Sequence, residues 1–311
     1  MPEEKHNGKV ISFINMKGGV GKTTLTKEIG FRLANSLNKK VLLIDIDPQI
    51  NLTQSIFKIF GYAQSKDLAK KAKNEDDIEN NLDQSKSEDV VITKASIQNV
   101  LEGNITSSNP TSIDKAILSI PNTNLSIIPG EFGLEFITRN LNSNQLENGI
   151  YNFIDENNIK EQFDYILIDC PPTYSSYTIA ALKPSDFYVV PVKPEAYSML
   201  GVDMLEKVVD TIKKTDKPYF KDRNLKNLGI IITDVRDEEK ERPGILNLIN
   251  DIENSEVLKS RGIRLFNNHF LHNSYLQSNM SYLIDSSNAE KYSKPNLKKL
   301  TDEFVKYIKK G

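Results

Sequence analysis

A glycine-rich loop near the start of the chain carries the residue types that bind a phosphate chain. Its residues are Lys17, Gly18, Gly19, Val20, Gly21, Lys22, Thr23 and Thr24. Glycines let backbone N–H groups approach phosphate oxygens, and a helix that follows points its positive dipole end at the same anion. Lys22 can reach the outer phosphates, and the Thr23 hydroxyl can hold Mg²⁺. The loop therefore predicts a site for a nucleotide and a magnesium ion.

The segments on either side of the loop are those that such a site requires. An apolar run at residues 10–14 precedes it and an amphipathic stretch at residues 25–37 follows it, which predicts a strand, the loop and a helix in that order. Lys17 is a second lysine with no obvious role in the phosphate cradle of its own chain. We expect it to point outward, toward phosphates held by a second copy of the protein. The alternative, a solvated lysine beside a chance glycine loop, is disfavoured by the order of these elements.

Three aspartates stand at the ends of apolar runs. Asp45 and Asp47 end the run at residues 41–46, and Asp169 follows the run at residues 165–168. Parallel strands present their carboxyl ends at one edge of a sheet, so these aspartates converge with the loop. Asp169 suits a role in holding Thr23 or the waters of Mg²⁺, and Asp45 suits the organisation of Mg²⁺. Asp47 suits orienting the attacking water, while the alternative for Asp45 and Asp47 is a strand-end or helix-capping carboxylate.

Short apolar runs alternate with helical patterns along most of the chain. The runs lie at residues 10–14, 41–46, 125–128, 165–168, 187–191 and 228–232. This alternation predicts an α/β fold, with a mostly parallel sheet and helices on both faces.

The motifs together resemble the ParA/MinD family of dimerising ATPases. The loop that begins at Lys17 is similar to the family's deviant Walker A loop, in which Met16 replaces the first glycine of the general pattern. Residues 45–51 resemble the family motif D-x-D-P-Q-G-N, and residues 165–172 resemble its Walker B segment. The likeness runs from about residue 10 to about residue 234. The D-x-D-P-Q and D-C-P-P motifs of this chain are closer to those of ParA than to those of MinD.

The resemblance implies a deviant P-loop NTPase fold, with residues 1–311 forming one ATPase domain that uses ATP and Mg²⁺. It implies an ATP-dependent sandwich homodimer, in which Lys17 crosses the interface to the partner's phosphates. It further implies catalytic roles for Lys17, Lys22 and Asp47, and an adenine-side position for Thr233. A ParA-type protein binds DNA non-specifically and segregates a plasmid or chromosome, and a centromere-binding ParB-like partner stimulates hydrolysis. The alternatives are a MinD-like membrane-associated positioning ATPase and a non-hydrolysing or kinase-type regulator.

Two positions depart from the family pattern. Ile50 stands where the second motif has glycine, and a branched side chain disfavours positive φ, so we expect the turn to differ there. The family's DNA-contacting arginine has no clear match, and Arg261 and Arg264 are the nearest substitutes.

The net charge, the cysteine count and the lengths of the apolar runs argue against several classes of protein. The chain has 311 residues, a formal net charge of −2 and one cysteine. The charge argues against a strongly basic nucleic-acid binder, although a local basic face is compatible with it. Because one thiol cannot build a cysteine metal cluster, the iron-protein branch of the superfamily is excluded, and Cys170 is expected to be buried. No apolar run approaches the roughly 20 residues of a membrane span, so we expect a cytoplasmic protein without stable membrane insertion. The resemblance to ParA implies that the protein associates with the nucleoid.

The remaining segments carry weaker signals. Residues 62–96 are polar and predict an exposed insertion. His269 and His272 suggest a loop or packing role more than a metal site. A C-terminal helix is predicted at about residues 294–309, since Leu297, Leu300, Phe304 and Ile308 fall near helical spacing. Docking on the sheet is favoured over a membrane-surface role, and the seven lysines of residues 291–311 are candidate DNA contacts.

Overall fold

The computed structural model describes residues 6–70, 90–106, 111–221, 223–236, 242–287 and 292–311. The strands are β1 Lys9–Phe13, β2 Val41–Asp45, β3 Tyr62–Ala63, β4 Val91–Ile92, β5 Leu118–Ser119, β6 Leu125–Ile128, β7 Tyr165–Asp169, β8 Phe187–Val192, β9 Lys226–Val235 and β10 Phe270–Leu271. The longer helices are α1 Lys22–Asn35, α2 Asn51–Phe60, α3 Ile97–Thr106, α6 Ser143–Glu156, α9 Ser198–Thr215, α11 Pro243–Glu253 and α14 Ser293–Lys310. The shorter helices are α4 Ile113–Ala116, α5 Leu134–Ile137, α7 Ile159–Gln162, α8 Ser176–Leu182, α10 Lys217–Phe220, α12 Glu256–Arg261 and α13 Ser274–Ser278.

Within the described ranges, eight strands form one sheet in the order β10-β9-β8-β1-β7-β2-β6-β5. All neighbours are parallel except β5 and β6, which confirms the predicted mostly parallel sheet. The six predicted apolar runs correspond to β1, β2, β6, β7, β8 and β9. No sequence pattern predicted β5 and β10, because two residues are too few to form an apolar run. The carboxyl ends of β1, β2 and β7 are adjacent, which brings the loop and the aspartates together.

Helices cover both faces of this sheet. Alternate residues of each strand point to opposite faces and so belong to two separate hydrophobic cores. Val10 packs in one core, with residues of α6 and α9, while Ile11 packs in the other, with residues of α1 and α14. This alternation follows from the two-residue period of a strand. Because both faces are buried, the central strands read as continuous apolar runs.

The C-terminal helix α14 lies against the sheet. Its apolar positions Leu297, Leu300, Phe304 and Ile308 are all buried. The ring of Phe304 stacks on Phe13 of β1, with 6.0 Å between ring centroids. This apolar stripe is therefore used in the core and is not presented to a membrane surface. Among the residues that the structure describes, no helix is long and apolar enough to cross a membrane.

Most of the polar segment predicted as an insertion, residues 71–89, lies outside the described residues. Its two ends lie side by side, because β3 and β4 pair in parallel as a separate two-stranded sheet.

Candidate nucleotide-binding site

The glycine-rich loop connects β1 to α1, as predicted. Gly19 and Gly21 have φ angles of 72° and 88°, a left-handed conformation that glycine adopts readily. Gly21 directly precedes the first turn of α1, so the unpaired N–H groups of that turn face the loop. The loop forms one wall of a cavity of about 330 Å³, which is within the range for small-molecule sites.

Lys22 places a buried cation in this cavity. The residue is 6% exposed, and its Nζ donates a hydrogen bond to the Lys17 carbonyl oxygen at 3.2 Å. Burial lowers the pKa of Lys22, and the nearby charges of Asp169, Cys170 and Asp47 oppose that shift. A desolvated ammonium held this way is stabilised by an anionic ligand, so its environment fits the outer phosphates of a nucleotide.

Asp169 ends β7 and is fully buried. Within the described part of the chain, neither of its carboxylate oxygens has a partner of hydrogen-bond geometry, although the Thr23 hydroxyl is near enough to favour the charged form. Burial raises the pKa of Asp169 well above its usual value, and the charge of Asp45 raises it further. A buried carboxylate without a partner is costly, and a hydrated cation removes that cost. The predicted magnesium site therefore fits the residues at this position.

Asp45 has protein partners for its carboxylate. Its Oδ2 accepts hydrogen bonds from the Thr53 backbone N–H at 2.9 Å and from the Thr53 hydroxyl at 2.7 Å, and its Oδ1 accepts one from the Asp47 N–H at 3.2 Å. Burial raises the pKa of Asp45 to about 7. Asp45 thus satisfies a free N–H in the first turn of α2, which is the capping alternative left open above. A contact between Asp45 and Mg²⁺ stays a prediction.

Asp47 lines the same cavity as the loop. Its Oδ1 accepts a hydrogen bond from the Gln49 backbone N–H at 3.0 Å, which fixes the carboxylate within a tight turn. The position suits the predicted role of orienting water.

Ile50 adopts the conformation that the sequence argued against. Its φ of 50° and ψ of 27° are left-handed, so the expectation that a branched residue avoids this geometry is wrong here. Such a conformation costs on the order of 1–3 kcal/mol and persists only where the surroundings impose it.

Lys17 does not line the cavity that its own loop forms, and its expected reach toward a second copy stays a prediction. Its backbone N–H donates to Asn15 Oδ1 at 2.9 Å, while its ammonium forms an ion pair with Glu195, in the loop after β8. Its side chain is 41% exposed.

Thr233 lines the same cavity and supports the loop, and its predicted adenine-side position stays a prediction. It lies near the end of β9 and its hydroxyl donates to the Val20 carbonyl oxygen at 2.8 Å. The structure also brings to the cavity a polar group that sequence reasoning missed. Asp234 lies 2.6 Å from both Lys193 Nζ and His272 Nδ1. The pair with Lys193 depends on β8 and β9 being neighbours, and the contact with His272 depends on β9 and β10 being neighbours. No local pattern in the sequence signals either contact.

The other candidate residues have structural partners. Cys170 is fully buried, and burial raises the pKa of its thiol, so it is not a nucleophile. Arg261 pairs with Asp210, and the Arg264 guanidinium lies 4.1 Å from the centre of the Tyr307 ring. No cluster of three or more His, Cys, Asp or Glu residues suited to a metal occurs in the described ranges. The packing role expected for His269 and His272 stays a prediction.

Comparisons with known proteins agree with this geometry. A protein-family model described as an AAA domain matches residues 8–222. The sporulation initiation inhibitor protein Soj of Bacillus subtilis is 28% identical over 229 residues, which cover 74% of each chain. The virulence plasmid ParA family protein pGP5-D of Chlamydia psittaci is 25% identical over 256 residues, covering 81% of this chain and 80% of that protein.

A solved structure shares the fold. The ATP complex of a variant of McdA from Cyanothece matches 98% of this chain and 97% of its own, with a TM-score of 0.70 and 20% identity. The family match begins just before β1 and continues beyond β8, and it therefore includes the phosphate loop and all three strand-end aspartates. This chain belongs to the ParA/MinD family of deviant Walker A ATPases.

Proposed function

We propose that this chain is a ParA-type ATPase in which ATP drives the formation of a sandwich homodimer. The position of Lys17 carries the proposal. Lys17 does not line the nucleotide cavity of its own chain, and its ammonium pairs with Glu195, a side chain that is 42% exposed. Phosphates held by a second copy then displace Glu195 as the partner of this ammonium. Nucleotide and dimer then stabilise each other, because the lysine meets a triphosphate only when both are present.

The side chains around the cavity have different roles in ATP hydrolysis. Lys22 binds the outer phosphates, and Asp47 orients the attacking water or accepts its proton. Thr23 and Asp169 would hold Mg²⁺ and its waters, and a bound ion would supply positive charge beside the outer phosphates. Asp45 keeps α2 attached to the end of β2 and thereby organises this side of the site.

The dimer binds DNA without sequence preference and acts in plasmid or chromosome segregation. A centromere-binding ParB-like partner stimulates hydrolysis and so resets the switch. The location implied is the cytoplasm, on the nucleoid. The support for this part is the likeness to ParA family proteins and the run of lysines on α14.

The decisive experiment measures binding of unrelated DNA fragments by the purified protein, with no nucleotide, ADP or ATP and with Mg²⁺ present. We expect tight binding only with ATP. Lys22→Ala removes the cation nearest the outer phosphates, so it is expected to lose ATP binding in calorimetry and to lose the ATP effect on DNA. Lys259→Ala, an exposed lysine on α12, is the matched control. Equal DNA binding in all three nucleotide conditions contradicts the proposed switch.

A further inference from the structure

The turn that carries Asp47 is closed at its far end by Ile50. The Ile50 N–H donates to the Asp47 carbonyl oxygen at 2.8 Å, and the Ile50 carbonyl accepts from the Gln54 N–H at 2.9 Å. Ile50 therefore belongs both to the turn and to the start of α2. Its side chain is 5% exposed although the turn lies beside the open cavity. The side chain is an anchor that points into the protein and away from the cavity.

Gly130, the second residue after β6, provides the space for this anchor. A Cβ placed on Gly130 would lie 2.8 Å from Ile50 Cγ2, which is closer than real Cβ atoms come to a neighbour. It would also lie 3.1 Å from Asp45 Cγ, a tight contact that requires a shift of a few tenths of an ångström. The notch therefore exists only because residue 130 has no side chain.

The wall of the notch is held in place on both sides. The Gly130 N–H donates to the Thr53 hydroxyl oxygen at 2.7 Å, and its carbonyl oxygen accepts from Gln64 Nε2 at 2.6 Å. The same Thr53 hydroxyl donates to Asp45. Strand β6, the end of β2 and the first turn of α2 are thus joined by one hydrogen-bonded network, and Ile50 packs against it.

We propose that Ile50 and Gly130 form a matched pair that holds the Asp47 turn in its working conformation before nucleotide binds. The left-handed backbone of Ile50 is unfavourable for a branched residue, and burial of its side chain in the Gly130 notch compensates for it. Glycine at position 50 would adopt the same φ without strain but would leave the turn without an anchor. Ile50 is in this sense a positioning residue. Its catalytic consequence rests on the proposed role of Asp47 in hydrolysis.

Hydrogen exchange tests the pair without reference to activity. We measure exchange of the backbone amides of residues 47–54 in the full-length protein without nucleotide, by mass spectrometry. Ile50→Gly is expected to exchange about tenfold faster than wild type, because the turn opens locally more often. Ile50→Val keeps a branched anchor and is expected to exchange within about twofold of wild type. Unchanged exchange in Ile50→Gly overturns the proposal.

A second pair of variants tests whether the contact with Gly130 is the cause. Gly130→Ala is expected to speed exchange of the same amides, since its methyl group displaces Ile50. In the double variant Ile50→Gly with Gly130→Ala, the second substitution is expected to add much less than it does alone, because the two effects share one contact. Gly244→Ala, where a Cβ has nothing within 4 Å, is the control. Additive effects in the double variant overturn the pairing.

Steady-state kinetics separate this inference from the proposed function. We expect Ile50→Gly to lower kcat about fivefold or more at nearly constant KM, with Ile50→Val restoring kcat, because the turn orients water and does not hold the nucleotide. A rise in KM at constant kcat would contradict the positioning role. If the wild type itself hydrolyses no ATP, the proposed function fails, while the exchange result still decides the pair.

Discussion

The Lys17 ammonium pairs with the Glu195 carboxylate of the same chain, and neither residue lines the nucleotide cavity. Both side chains are about two-fifths exposed, at 41% and 42%. Solvent screens such a pair, and its net contribution to stability is typically below about 1 kcal/mol. Lys17 is therefore held loosely in one subunit, and a phosphate group carrying more charge can take the place of Glu195 as its partner.

Lys17→Ala is expected to bind ATP with near wild-type affinity but to remain a monomer when ATP is added. The reason is that Lys17 does not line the nucleotide cavity of its own chain. Light scattering with ATP and Mg²⁺ reports the mass, and calorimetry reports the affinity. Lys259→Ala is the control and should dimerise normally. An intact ATP-dependent dimer in Lys17→Ala would remove the cross-interface role.

Glu195→Gln is expected to shift the ATP-dependent dimer to lower protein concentration, by up to about fivefold, because the competing partner of Lys17 is weakened. Sedimentation at several protein concentrations measures this shift. The effect should disappear in the double variant with Lys17→Ala. A weaker dimer in Glu195→Gln would mean that Glu195 supports the interface directly.

Asp47→Asn is expected to bind ATP and to slow its hydrolysis by about 100-fold or more, so that the dimer persists. Asparagine keeps the oxygen that accepts the Gln49 N–H, so the turn is retained while the negative charge is lost. Phosphate release under single-turnover conditions is the measurement. Wild-type turnover in this variant would exclude Asp47 from the chemistry.

Glu28, a fully buried residue of α1, is expected to make stability fall as pH rises. Its Oε2 accepts a hydrogen bond from the Ile284 N–H at 3.0 Å, and Lys27 lies 3.4 Å from its Oε1, with Asp285 nearby. Burial raises the pKa of Glu28 from 4.5 to about 7. Between these values the folded chain keeps a proton that the unfolded chain has released. Stability from this group is therefore full below about pH 4.5 and declines up to about pH 7.

Glu28→Gln removes that titration. Urea unfolding between pH 4.5 and 8 should show a shallower loss of stability in the variant, by roughly 2–3 kcal/mol across the range. Glu253→Gln, an exposed carboxylate on α11, should leave the wild-type profile unchanged. Parallel profiles for Glu28→Gln and wild type would show that Glu28 is charged in the folded chain at all these pH values.

Replacing Lys294, Lys298 and Lys299 of α14 with glutamate is expected to weaken ATP-dependent binding to unrelated DNA sequences about equally and to lower its salt dependence. Lys298 and Lys299 are exposed, whereas Lys291 lies outside the described residues. The control variant replaces Lys213, Lys214 and Lys217 with glutamate, which makes the same change in charge on another part of the surface. Unchanged DNA binding in the α14 variant would place the DNA surface on another face.

Local patterns in the sequence determined much of the fold and the phosphate site. Six apolar runs became the six longest strands of the sheet, because a strand buried on both faces needs continuous apolar residues. Glycine spacing determined the loop, since Gly19 and Gly21 adopt angles that other residues avoid. The position of Asp169 at a strand end sufficed to place it beside Thr23, because parallel strands share one carboxyl edge.

Only the tertiary structure decided which side chains meet. Lys17 and Glu195 are 178 residues apart, and the Thr233 hydroxyl and the Val20 carbonyl are 213 residues apart. Such contacts depend on strand order and helix docking, and the local sequence around each residue does not predict them. Ile50 shows most directly that local sequence preference does not determine the backbone conformation. Its local preference opposes a left-handed turn, yet the notch beside Gly130 stabilises that turn, because packing outweighs a backbone preference of a few kcal/mol.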